Sequence, residues 1–148
     1  GRAPATRGFQ SPAKAPHIER MSNADDLVVF AKAKDLAVEI YPATRLLPPD
    51  ERHVLSPQMR RAAASIPANL AEGCGRASDR ELARYTAIAQ GSAAELHVHL
   101  TLCREAALLP EGLADGLIRR VDEVRQMLHG LRRTLDTTTR RSRSDRGR

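Results

Sequence analysis

From Val29 onward, apolar residues recur at steps of three and four, the spacing that gives an α-helix one buried face. The first run is Val29, Phe30, Ala33, Leu36, Ala37 and Ile40. Asp25 and Asp26 precede it and suit the positive end of a helix dipole. Pro42 has no N–H for the helical ladder, so this helix is expected to end or kink near Tyr41. A second run, Met59, Ala62, Ala63, Ile66 and Leu70, follows Ser56 and Pro57, a cap residue and a residue suited to the first helical position. Pro67 inside it is expected to bend the helix. Gly73 and Gly75 are expected to close it in the left-handed conformation.

Ser78 and Glu81 then match the capping box that starts a helix. The third helix is expected from Asp79 to about Leu109, with an inner stripe of Leu82, Tyr85, Ala89, Ser92, Leu96, His99 and Cys103. Residues 87–94 are nearly all small, which lets a neighbouring backbone come close. Pro110 and Gly112 punctuate its end. The fourth helix carries Leu117, Val121, Val124, Leu128, Leu131 and Leu135, alternating steps of four and three as in a coiled-coil seam. Four amphipathic helices with short connections predict an all-α protein, an antiparallel up-down-up-down four-helix bundle over residues 25–135. No strand alternation competes.

Composition changes this picture only at the ends. The net charge of +6 invites a nucleic-acid partner, but it is unevenly placed. Residues 1–24 carry +3, residues 132–148 carry +5, and the body between them carries −2. Residues 1–24 are therefore expected to form a disordered Pro-rich basic arm, with Met21 as an alternative start of the native chain. Residues 136–148 are expected to form a disordered Arg-rich tail. The chain has no apolar run long enough to span a membrane and opens on no charged-then-greasy leader, which points to the cytoplasm. Cys74 and Cys103 read as free thiols, too few for a disulfide framework.

The candidate chemistry is sparse. Arg76, Arg80 and Arg84 lie four apart on one helix face, with Arg60 and Arg61 on the preceding helix. Such a set suits phosphate contacts near a helix N-terminus. It suits rather better a solvated face, with Arg76 and Arg80 paired to Glu72 and Asp79 or to a neighbouring subunit. The Arg-rich tail adds a second phosphate-neutralising feature. Aromatics make up 3 % of the chain, which leaves no base-stacking platform. Gln58, Asn69, Glu72 and Glu95 lie near the apolar stripes and are expected to form a structural polar network that fixes helix register. Glu95, His99 and Cys103 share a face at steps of four, yet they fall short of a converging metal-ligand set. No catalytic residue, cofactor or small-molecule substrate is implied.

The ordered set Ile40-Tyr41, Thr44, Gln58, Arg60-Arg61-Ala62-Ala63, Ser65-Ile66, Asn69-Leu70-Ala71-Glu72-Gly73, Gly75-Arg76, Ser78, Ile88-Ala89, Gly91-Ser92 and Glu95-Leu96 resembles a known family. It is the small four-helix bundle proteins encoded in intervening sequences of bacterial large-subunit ribosomal RNA genes. These are related to the accessory variability protein of diversity-generating retroelements. The resemblance covers about residues 27–132, with Phe30 where the family pattern has Trp or another large aromatic. It implies a homopentameric ring of bundles without enzymatic activity. For the retroelement relatives it implies binding to RNA or DNA and partnership with a reverse transcriptase. Two functions follow as expectations: a non-enzymatic, homo-oligomeric nucleic-acid-binding accessory factor, and a structural or protein-interaction bundle without nucleic-acid affinity.

Overall fold

Each apolar stripe builds a helix. The computed structural model describes residues 24–147, with side chains from Val28 onward. The expected N-terminal arm and Met21 lie outside the described residues, apart from the backbone of Ala24. Helix α1 spans Ala24–Arg45, α2 spans Leu55–Cys74, α3 spans Asp79–Glu105 and α4 spans Glu111–Arg146. A single 3-10 turn, Pro49–Glu51, lies between α1 and α2, and there is no strand among the described residues. Helix α2 packs on α1 and α3, and α4 packs on α3 and α1, so the four helices enclose one core.

Leu36 and Ile40 of α1, Met59 and Ile66 of α2, Leu96 and Leu100 of α3, and Val121, Val124 and Leu128 of α4 are fully buried there. Each such side chain contributes about 1.5–3 kcal/mol by leaving water. Specific pairs tie the helices together. Lys32 and Glu39 of α1 pair with Glu123 and Arg120 of α4. The Ser92 hydroxyl of α3 donates to the Ser65 hydroxyl of α2 at 2.8 Å. Cys103 approaches Met59, sulfur to sulfur, at 3.8 Å. Between α3 and α4, Arg104 meets Asp115 and His97 meets Asp122, each at 3.4 Å.

The helix ends depart from expectation in instructive ways. Helix α1 runs through Pro42 to Arg45. Pro42 supplies no N–H to the Val38 carbonyl, and both residues are exposed. Helix α2 starts at Leu55, one residue before the expected cap Ser56, which is buried, and it continues past Pro67. Gly73 and Gly75 are not left-handed. A Cβ on Gly73 would lie 2.7 Å from the Cβ of Tyr85, so close approach of α2 to α3 demands glycine here.

At the start of α3, the Ser78 hydroxyl accepts from the Glu81 backbone N–H at 3.2 Å. The Glu81 carboxylate turns to Arg84 instead of completing the box. Helix α3 stops at Glu105, short of Leu109, in a Schellman ending: the Leu108 N–H donates to the Cys103 carbonyl at 2.8 Å and Ala107 takes φ 53°.

The largest correction is at the C-terminus. Residues 136–146, expected as a disordered tail, continue α4 as helix. Leu135 packs with Cys74 and Leu82 in a small second cluster that fastens α4 beside the end of α2 and the start of α3. Past it, Thr137, Thr138 and Thr139 each donate a hydroxyl to the carbonyl four residues back, so these polar side chains find partners on the helix itself.

Candidate nucleic-acid interface

The cluster of Leu135, Cys74 and Leu82 decides what lies around the first turns of α3. Tyr85 stands half-buried between two cations. The Arg76 guanidinium lies 5.4 Å and that of Arg84 4.6 Å from its ring centre. Arg76 also donates to the Tyr85 hydroxyl at 3.0 Å and to Glu72 at 2.7 Å. The Glu72 hydrogen bond, reinforced by the Tyr85 and Glu72 charges, raises the Arg76 pKa above its ordinary value. The hydrogen bond and charge of Glu81 do the same for Arg84. Both guanidiniums are thus fixed cations on the surface.

The extension of α4 brings a second set of cations to this place. Arg80 and Arg84 of α3 and Arg132 and Thr139 of α4 line one groove of about 490 Å³. An adjoining groove of about 310 Å³ runs from Ser78 and Arg80 to Ser142 and Arg146. On the other side of Arg132, a groove of about 290 Å³ is lined by Gln90, His129, Arg133 and Arg140. Arg132 itself donates to the Gln90 side chain at 3.0 Å. Asp79, Glu81 and Asp136 are acids that line the same grooves. Arg80 and Arg84 of the basic face and the Arg-rich tail therefore meet on one surface along the seam of α3 and α4, while Arg76 stays with Glu72 and Tyr85. That meeting escapes sequence reasoning. Its one signal is that Thr138, Thr139, Ser142 and Arg146 carry forward the three- and four-residue steps of the α4 seam in polar letters.

Arg60 and Arg61 do not join the row. The Arg60 Nε donates to the buried Thr44 hydroxyl at 2.8 Å and its guanidinium lies 5.1 Å from the Tyr41 ring centre. It locks α1 to α2 about 20 Å along α2 from Gly73. Arg61 is exposed on α2.

Nor do Gln58, Asn69, Glu72 and Glu95 form one network. Gln58 is exposed. The Asn69 amide donates to the Ser65 carbonyl and hydroxyl, both at 2.8 Å, and so supports the Ser65–Ser92 bridge. The Glu72 and Glu95 side chains are more than half exposed and serve Arg76 and His99. They were expected near the apolar stripes, but both point to solvent at the stripe edge. Glu95 lies 3.3 Å from the His99 Nε2, while Cys103 faces Met59 in the core, so the three residues do not converge on one point. Burial, with a smaller push from Glu51, raises the Cys103 thiol pKa to about 11. No group of three or more metal-ligating side chains occurs among the described residues. None of the described helices is long and apolar enough to cross a membrane.

Four helices around a single core, a charged seam on one side and no strand among the described residues define a small all-α bundle protein. Residues 25–130 match the family described as 23S rRNA-intervening sequence protein, and the chain belongs to that family. A similar solved structure is a protein of unknown function from the S23 ribosomal protein family of Bacteroides thetaiotaomicron VPI-5482. It is 23 % identical, with a TM-score of 0.66 over 70 % of this chain and 97 % of that one. No curated protein matches the chain.

Proposed function

We propose that this protein is a non-enzymatic, homo-oligomeric bundle that binds nucleic acid through phosphate contacts along the seam of α3 and α4. The observation that carries this is the groove in which Arg80 and Arg84 of α3 face Arg132 of α4, with Arg146 in the groove beside it. Guanidiniums neutralise phosphates bidentately, and several in a row release counterions together. The antiparallel up-down-up-down course is supported by pairings whose numbers run in opposite senses: Met59 with Cys103, Ser65 with Ser92 and Gly73 with Tyr85. Two buried thiols suit a reducing, cytoplasmic compartment.

Self-association into a ring, with a pentamer as the expected state, has support on the outer face of α3. There Ile88, Val98 and Leu102 are exposed at 42 %, 54 % and 48 %. Gly91 between them has open space at its missing Cβ. The same face favours a second reading, a structural or protein-interaction bundle without nucleic-acid affinity.

Fluorescence anisotropy over a salt series separates the two. The full chain is expected to bind, with affinity falling linearly in log–log form. The slope is expected to shrink by about one for each Arg removed in Arg80→Ala and Arg132→Ala. No binding at low salt would leave the structural reading in its place. Light scattering that gives a monomer at micromolar concentration would remove the ring.

A further inference from the structure

The seam does not end with its cations. Beyond the groove of Gln90, His129 and Arg133, a further concavity of about 380 Å³ shares Gln90 and His129 with it and is lined also by Ala94, Asp122, Arg125 and Gln126. Its chemistry is of a different kind. Two carboxamides, an imidazole, a guanidinium and a carboxylate offer donors and acceptors on a small apolar floor. Asp122 is approached by His97 at 3.4 Å and by Arg125 at 3.3 Å, so its carboxylate is held in place as an acceptor. A phosphate brought here would meet that carboxylate and be repelled. A flat heterocycle with mixed donors and acceptors on its edge would be matched. Arg132 stands at the junction: its guanidinium belongs to the cationic row, yet it holds the oxygen of the Gln90 amide. With the amide fixed by that bond, the Gln90 NH₂ donors are left for a ligand.

We propose that this amide-bearing end of the seam takes an unpaired nucleobase, and that the partner of the protein is accordingly single-stranded nucleic acid. The inference rests on the phosphate-binding row proposed above and assigns its partner class. A strand laid along the row keeps its backbone over Arg80, Arg84, Arg132 and Arg140 and turns a base into the pocket of Gln90, Asp122 and Gln126. From Asp122 to Arg146 the seam is about 36 Å long at the helical rise, room for several nucleotides. With no tyrosine or phenylalanine in the pocket, the planar groups available for stacking are the Arg125 guanidinium and the His129 ring. A duplex has its base edges paired and stacked, and it fits the row without filling the pocket.

The test uses the full chain and a labelled strand of about 12 nucleotides, a length within the usual site size of single-strand binders. DNA and RNA forms are run in parallel, each beside an abasic strand of equal length and a duplex of the same sequence, all at fixed salt. The intact strand is expected to bind about tenfold more tightly than the abasic strand and than the duplex, with the same salt slope against the abasic strand. Gln126→Ala, at an exposed position that leaves the core untouched, is expected to bring the intact strand down towards the abasic one. Equal binding of intact and abasic strands in both DNA and RNA overturns the base pocket while leaving the phosphate row standing. Absence of binding by every probe overturns both.

Discussion

Arg132 of α4 and Gln90 of α3 are joined at 3.0 Å, and that bond marks the point where the cationic half of the seam meets its amide-bearing half. Arg132→Ala therefore removes one cation of the proposed phosphate row and also frees the Gln90 amide. The expected result is a weaker intact strand and a smaller salt slope in one substitution, whereas Gln126→Ala leaves the slope unchanged. Anisotropy at three or more salt concentrations distinguishes the two behaviours.

Ending the chain after Leu135 is expected to leave the fold intact, because among the described residues none beyond Leu135 is buried. Urea denaturation should place its midpoint close to that of the full chain. Nucleic-acid binding should weaken and lose part of its salt dependence, since Arg140 and Arg146 go with the deleted turns. A large drop in stability would show that the last turns of α4 hold the bundle together.

Arg60→Ala is expected to behave in the opposite way. Removing it leaves the buried Thr44 hydroxyl without its donor and strips the cation from Tyr41. The stability cost is about 1–2 kcal/mol. Binding to nucleic acid should not change once the variant is folded, and affinity measured well below its unfolding temperature checks this.

Gly73→Ala forces a methyl group to 2.7 Å from the Tyr85 Cβ and 3.3 Å from the Leu82 Cα. Neither is the tip of a flexible chain, so α2 and α3 must part. The expected loss is about 1–3 kcal/mol in chemical denaturation. Ala107→Gly should work in the other direction. Ala107 sits at φ 53°, which costs a Cβ-bearing residue about 1–2 kcal/mol, partly offset by the greater freedom of glycine in the unfolded chain. A higher melting temperature is expected.

Cys103 gives the protein an alkaline limit. Burial raises its folded-state pKa from 9.0 to about 11, so on raising the pH the unfolded chain surrenders the thiol proton first. This contribution to stability is complete below pH 9 and disappears as the pH approaches 11. Denaturation midpoints measured across that range should fall more steeply for the native chain than for Cys103→Ala. Parallel curves would show that the thiol titrates alike in both states.

How much of this was legible in the sequence depends on what each residue signals locally. The α4 seam from Leu117 to Leu135 is readable because bulky apolar letters repeat with the helical period, and all but Leu131 are buried. The continuation to Arg146 is not, since Thr, Ser and Arg carry no apolar stripe and the helix there leans on its own hydroxyl bonds. Gly73 reads locally as a left-handed terminator, whereas its need is close approach to Tyr85, a partner twelve residues away that no local pattern reveals. The Arg76–Arg84 face was visible from its spacing. The union of its Arg80 and Arg84 with Arg132 and Arg146 depends on how Leu135 docks, and the bond that takes Arg60 to Thr44 leaves no mark on its own helix.

That small cluster of Leu135, Cys74 and Leu82 separates two jobs within one helix. The apolar stripe of α4 before it answers to the core and tolerates little change in volume. Everything after it answers only to the solvent and to whatever lies against the seam. The last three turns are therefore an interchangeable handle: their charge, length or lettering can be rewritten to suit another ligand, and the bundle beneath will not register the difference.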